Sequence, residues 1–307
     1  YSLAELQTLL TNERMQATPC IPKLRSSVFL GDREAFMALY LLLAVCGSLV
    51  GVTTVLFGFG GGFFVVPLLY QALTHLNPPG SAPAQAAMQI AVATSTAVMV
   101  VGSLMATLKH QRAHSLNWSL IRPLLGFIAA GAMLGALAAT SVQGEWLRWA
   151  FVAYLALTIA DCWLRPGFMH PAATHAPSTN WGGAAPAGLL IGFIAAFLGV
   201  GGSVMTVTMM RRRGVSMTGA TAMASPLSLP VALAGTATYM AAMGSKHPAL
   251  DAWHWGLVDL RAWAILVAGS WLGMRLATPW IGRIPDRIHA KVYLGLLVVV
   301  LIAMLLG

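Results

Sequence analysis

Charge is what this chain has least of. Asp, Glu, Lys and Arg make up 9% of its 307 residues, against about 25% in an ordinary soluble domain. Long stretches carry none: from Glu34 to Lys109, from Arg165 to Arg211, and from Arg213 to Lys246. So thin a solvating surface excludes a soluble globular enzyme and a disordered protein. Cysteine is scarce too. Cys20, Cys46 and Cys162 form no CxxC spacing, which excludes a disulfide scaffold and gives no sign of a redox pair or a thiolate metal site. Acids are nearly missing from the apolar runs, so no intramembrane site for a metal cation or a coupled proton is visible. What is present is apolar: 58% hydrophobic residues and a mean hydropathy of +0.75. A helix needs about 20 apolar residues to cross the hydrocarbon core. The chain therefore reads as an all-α, multi-pass membrane protein with roughly eight to ten segments. Runs such as Leu41-Leu42-Leu43-Ala44-Val45 do not alternate, which excludes a β-barrel.

The formal net charge is +9. In a soluble protein that excess suggests nucleic acid. Here the bases cluster in short connections between apolar runs, as the positive-inside rule requires, so no nucleic-acid partner is expected. The N-terminal stretch carries Glu5, Glu13 and Arg14 before any apolar run, the wrong order for a signal peptide. Leu3, Leu6 and Leu10 would line one side of a short amphipathic helix. Four parts follow: an extramembrane or interfacial extension at 1–35, a first membrane repeat at 36–164, a Pro-, His- and Ser-rich linker at 165–183, and a second repeat at 184–307. Ten helical segments are expected, at about 36–57, 63–73, 86–108, 123–140, 146–164, 187–198, 204–210, 217–243, 260–277 and 289–306.

The two halves match in order. Phe57-Gly58-Phe59-Gly60-Gly61-Gly62 corresponds to Leu198-Gly199-Val200-Gly201-Gly202-Ser203. Ala93-Thr94-Ser95-Thr96 corresponds to Met223-Ala224-Ser225-Pro226, and Ala130-Gly131-Ala132-Met133-Leu134-Gly135 to Ala268-Gly269-Ser270-Trp271-Leu272-Gly273. Five segments per half is an odd number, so the second repeat should be inverted relative to the first, as in many secondary transporters. With the Lys109–His114 connection cytoplasmic, the count also places Arg211–Arg213 and the Arg275–Lys291 cluster inside.

Glycine costs about 1 kcal/mol against alanine inside a helix. The clusters at 58–62 and 199–203 should therefore break their helices. Broken backbone at membrane depth survives only where it is buried or lines a cavity, and a fresh helix start offers N–H donors and a favourable dipole to an anion. The candidate substrate-binding residues are Gly58, Gly60, Gly61, Gly62, Gly199, Gly201, Gly202 and Ser203 at the breaks. The hydroxyls of Thr94, Ser95 and Ser225, with Gln89, join them as neutral donors. The four-residue spacing of Gly131/Gly135 and Gly269/Gly273 reads instead as helix packing. His110 and His114 sit four apart in a basic loop beside Lys109, which argues against a metal. Ser203 after two glycines raises the thought of a nucleophile, but no base accompanies it. No catalytic residue, metal or cofactor is expected.

The paired glycine clusters, with Pro67 after the first and Ala93-Thr94-Ser95 between them, resemble the sulfite exporter TauE/SafE family over about residues 36–306. That resemblance implies a transporter of sulfite or small organosulfonates such as sulfoacetate, in the cell (inner or plasma) membrane, whose glycine breaks and Thr/Ser turns face a small anionic sulfur-containing solute. Ser203 in place of the last glycine and Thr208 in place of Pro67 are departures in the second half. The packing motifs permit a homodimer. The alternatives are a non-transporting assembly or sensor module that uses the extension, and a transporter of another small solute.

Overall fold

The computed structural model describes residues 24–78, 80–164, 184–212, 214–242 and 253–306. The expected amphipathic helix near the N-terminus, the linker and Arg165 lie outside them. The elements are α1 (Leu24–Phe57), α2 (Gly62–Leu76), α3 (Ala82–Gln85), α4 (Ala87–Arg112), α5 (Trp118–Ser141), α6 (Gly144–Leu164), α7 (Ala184–Leu198), α8 (Ser203–Arg212), α9 (Met217–Ala241), β1 (His254–Trp255), β2 (Val258–Asp259), α10 (Leu260–Ala277) and α11 (Asp286–Leu306). Of the described residues, 84% are helical. Residues 43–307 form one unit, and the chain before Leu43 is a separate one.

Among the described residues, six helices are long and apolar enough to cross a membrane: Tyr40–Phe57, Ala87–Arg112, Ile121–Ser141, Gly144–Leu164, Met217–Ala241 and Asp286–Leu306. Each of the ten expected segments is a helix, though four of them fall short of that length or hydropathy. The shortfall lies mainly in the glycine-broken helices, whose pieces α2, α7 and α8 have 15, 15 and 10 residues. Two expectations are corrected. α1 begins at Leu24 rather than Phe36, since the polar residues in between do not stop a helix and the one glycine there, Gly31, costs only about 1 kcal/mol. Lys109, His110 and Arg112 lie in the last turn of α4, not in a loop, because cations are favoured at the negative end of the helix dipole.

α4 and α9 are the central pair, 78% and 67% buried, against 28–44% for the other spanning helices. A helix apolar on all sides belongs in a core, and small residues on both let other helices close in. Two seams flank this pair. Gly47 and Gly51 of α1 face α10, where added Cβ atoms would strike the carbonyls of Leu266 and Ser270; Gly269 and Gly273 of α10 face the carbonyls of Ala44 and Ser48 in return. Gly131 and Gly135 of α5 meet the carbonyls of Leu189 and Phe193 on α7, while Gly192 of α7 meets that of Ile128. Without a Cβ the backbones approach closely, and dispersion replaces the hydrophobic drive that lipid does not supply. Each seam joins the first segment of one half to the fourth of the other.

Between α9 and α10 a small antiparallel hairpin pairs His254 with Asp259 and Trp255 with Val258, turning at Gly256, φ +62°. Asp259 then caps α10, accepting from the N–H groups of Arg261 (2.9 Å) and Ala262 (3.1 Å). At the far end of α9, Asp286 accepts from Met217 N at 2.6 Å and pairs with the buried Arg211 at 3.1 Å.

Candidate functional site

Both glycine clusters interrupt their helices. α1 stops at Phe57 and α2 starts at Gly62; α7 stops at Leu198 and α8 starts at Ser203. Gly58, Gly60 and Gly61 take φ of 71°, 67° and 92°, and Gly199 and Gly201 take 68° and 65°. These are left-handed values that glycine adopts freely and an L side chain does not.

The two breaks lie against each other. A Cβ on Gly62 would overlap the Gly199 carbonyl. Between them stands Met99 of α4, fully buried. A Cβ on Gly60 or Gly62 would come within 3.2 Å of its Sδ, and one on Gly201 would overlap it. Ser228 of α9 faces the same point, 3.3 Å from a Cβ on Gly60 and 3.5 Å from one on Gly201. The contacts are reciprocal: the first break rests on α9 of the second half, where Gly58 meets Thr221 and Ala224, and the second rests on α4 of the first half, where Gly199 meets Val92 and Ser95. By these contacts Ser95 answers to Ala224 and Met99 to Ser228. That register is one residue away from the match between Ala93–Thr96 and Met223–Pro226.

The hydroxyls fall into different roles. Ser95 Oγ lies 2.9 Å from Val92 O and 3.0 Å from Gly199 O, so its proton is shared between its own helix and the opposite break. Thr94 Oγ1 points away from the breaks and accepts from Asp259 N at 3.0 Å, tying the hairpin to α4. Gln89 also reaches elsewhere: Nε2 donates to Val142 O at 3.0 Å, while its buried Oε1 has no partner. Ser203 Oγ is 3.4 Å from Gly201 O, and the buried Ser225 Oγ has no partner. Thr96 and Ser228 donate to their own helices, to Val92 O and Ala224 O. The structure thus gathers Gly58, Gly60, Gly61, Gly62, Gly199, Gly201, Gly202, Ser203 and Ser95, and sets Gln89 and Thr94 apart. No side chain caps the N-terminus of α2, which leaves first-turn N–H donors without a capping partner.

The breaks are sealed. Residues 58–63 and 198–204 are all buried, and three cavities among the described residues are lined by others. One of about 10 Å³ lies between Val55, Leu56, His110, Thr218, Thr221 and His289. One of about 420 Å³ opens beside Phe57, Trp280 and Ile288. One of about 370 Å³, mostly apolar, runs between α1, α2 and α11. Behind the first break an aromatic stack fills the space: Phe59 lies 4.8 Å from both Phe63 and Tyr293. Val200 takes the place of Phe59 in the second break.

Sequence reasoning missed Met99, which looks like any core methionine until the breaks converge on it. It also missed Gly47/Gly51 and Gly188/Gly192, although their four-residue spacing is the same signal that marks their partners. Among the described residues no group of three or more His, Cys, Asp or Glu side chains is placed to hold a metal.

Residues 43–304 match the family model described as sulfite exporter TauE/SafE. A relative from Haemophilus influenzae, named a probable membrane transporter protein, is 24% identical over 269 residues, 87% of this chain and 98% of that one. A second protein of that name, from Methanocaldococcus jannaschii, is 32% identical over 83 residues, 27% of this chain and 29% of that one. No solved structure matches the chain at a significant level.

Proposed function

The chain belongs to the sulfite exporter TauE/SafE family, and from that premise we propose that it is a secondary transporter of small sulfur oxyanions or organosulfonates, sulfite and sulfoacetate among them, working by alternating access between two inverted repeats. That it is a membrane transporter follows from the family and from the six apolar helices. The substrate class, the inversion, the exporter direction and the place of the site are the proposal.

One observation carries it: two glycine breaks, one from each half, meet around Met99 in a region without charged side chains. Backbone N–H groups at two helix starts suit an oxyanion through unsatisfied donors and the dipole. Ser95 and Ser225 would add neutral donors that bind sulfonate oxygens without a buried cation. The reciprocal contacts of α4 and α9, and the two crossed seams, support a two-fold relation between the halves and fit the inverted arrangement of transporter repeats. The sealed breaks correspond on this reading to an occluded conformation. Solute entry then requires Met99 and one break to move apart.

Flux of labelled sulfite and sulfoacetate through proteoliposomes is the test. Wild type should transport at least one of them, and replacing Gly61 and Gly201 by Leu should abolish it. Unchanged flux in that variant would remove the breaks from the mechanism. A thermal-shift screen with sulfite, sulfate, thiosulfate, taurine and sulfoacetate separates a wrong substrate from a wrong site.

A further inference from the structure

The end of α1 just before the first break carries an arrangement that the transport reading leaves unused. α1 stops at Phe57, so Val55 and Leu56 lack the ordinary helical donors four residues on. Two histidines from different elements sit at this end and line one cavity of about 10 Å³ with Val55, Leu56, Thr218 and Thr221. His289 of α11 donates from Nε2 to Leu56 O at 2.9 Å, and its ring packs edge-on to Phe57 at 4.9 Å. His110 of α4 pairs Nδ1 with Ser115 Oγ at 3.2 Å and interacts with the Val55 carbonyl. The residues are 2% and 3% exposed. Each keeps one buried ring nitrogen, Nε2 of His110 and Nδ1 of His289, without a hydrogen bond of normal geometry. A volume of this size holds about one water.

We propose that His110 and His289 form a proton-binding site whose occupancy opens the protein at the broken end of α1. Neither ring is hydrogen-bonded to an acid in this structure, and a charge so deeply buried is costly unless paired and hydrogen-bonded. The surrounding charges do not offset it. Asp286 and Arg211 both act on His289, with opposite sign, and Asp286 is already bonded to Arg211 and to Met217 N. Lys109, Arg112 and His114 flank His110 on α4 and just beyond, with Arg275 of α10 close to Lys109. Arg283 lies one residue from the lining Ile284, and Arg287 and Lys291 follow on α11. α1 and α9 bring only Val55, Leu56, Thr218 and Thr221. Protonating the pair therefore favours a state in which water reaches it, and water reaches it only when α11 and the 278–285 connection part from α1. The helix terminus itself favours the added charge once solvated, since its carbonyl end is negative.

The other half lacks the device. The spacing that carries Gly58 to Gly199 also carries Val55 to Ala196, and the spacing that carries Ser95 to Ala224 and Met99 to Ser228 carries His110 to Tyr239. Tyr239 donates to Ala196 O at 2.8 Å, and its phenol does not charge in the ordinary pH range. One break end thus responds to protons and its counterpart does not, which biases the direction in which the protein opens. This rests on the alternating-access reading for its role in transport, but proton binding and opening are measurable without any solute.

The test compares backbone amide hydrogen exchange, corrected for its intrinsic pH dependence, at about pH 7.5 and about pH 5.5 for the full chain in nanodiscs. Wild type should lose protection at 55–60 and 280–292 by about tenfold at the lower pH, and the variant His110→Gln/His289→Gln should show no such change. Exchange at the histidine C2 position of unmodified protein follows each imidazole without any substitution, should the variant fail to fold. His110 and His289 should there titrate over the same pH interval as the loss of protection. Protection that ignores pH in wild type, a variant that keeps the wild-type response, or histidines that stay neutral throughout would each overturn the site. Absent sulfite flux alongside a normal exchange response would instead count against the substrate.

Discussion

Gly199→Ala isolates the physics of the breaks. Gly199 has φ +68°, and a Cβ there would lie 2.7 Å from Ser95 Oγ and 3.0 Å from both Cα and Cγ1 of Val92. The left-handed conformation costs an alanine about 1–2 kcal/mol. Relieving the overlap with a helix backbone costs about 1–3 kcal/mol more, so the variant should lose about 2–5 kcal/mol in all. Two controls separate the contributions. Gly80 has φ +86° with nothing within 4 Å of an added Cβ, so Gly80→Ala should cost the conformational part alone, about 1–2 kcal/mol. Gly126 lies exposed in α5 with open space and ordinary φ, so Gly126→Ala should be neutral or stabilising by up to about 1 kcal/mol. At roughly 2–4 °C per kcal/mol for a chain approaching this size, Gly199→Ala should unfold roughly 4–20 °C below wild type in detergent. Thermal unfolding followed by fluorescence gives the order directly. If Gly199→Ala melts with Gly126→Ala, the close approach of the second break to α4 is wrong.

Met99→Ala empties the junction of the two breaks. It should cost about 2–5 kcal/mol in thermal unfolding and raise the access of sulfite to the site; flux and stability both equal to wild type would show that Met99 does not fill that space. Tyr239→Phe removes the donor from the Ala196 carbonyl, 2.8 Å away in a buried setting. It should lower stability by about 1–3 kcal/mol as read by the unfolding midpoint, and no change would mean that this carbonyl has another partner.

The class of the fold was legible because the missing charges and long apolar runs leave no other solvent than lipid. The breaks were legible because consecutive glycines are incompatible with a helix interior. The ends of α10 were placed correctly at 260 and 277, where Asp259 supplies a capping side chain. Harder to read was how far a helix continues through polar residues. Only Pro22, two residues upstream, hints at Leu24 as the start of α1, and Lys109, His110 and Arg112 read as a loop although a helix terminus welcomes them. The candidate hydroxyls show the same limit. Thr94 and Ser95 are neighbours, but adjacent residues on a helix point about 100° apart. One therefore holds the hairpin and the other touches the break, and only the packing decides which. Met99 and the histidines at 110 and 289 gain their meaning from residues more than a hundred positions away, which no local pattern records.

The crossed glycine seams bear on what moves as a rigid piece. α1 is locked to α10 and α5 to α7 by backbone-to-backbone approach, so each stiff body of this protein is assembled from both halves of the chain. Two polypeptides divided within 165–183 should find each other in the bilayer and interlock like clasped hands, while either one alone would leave its glycine-lined flanks bare to the acyl chains.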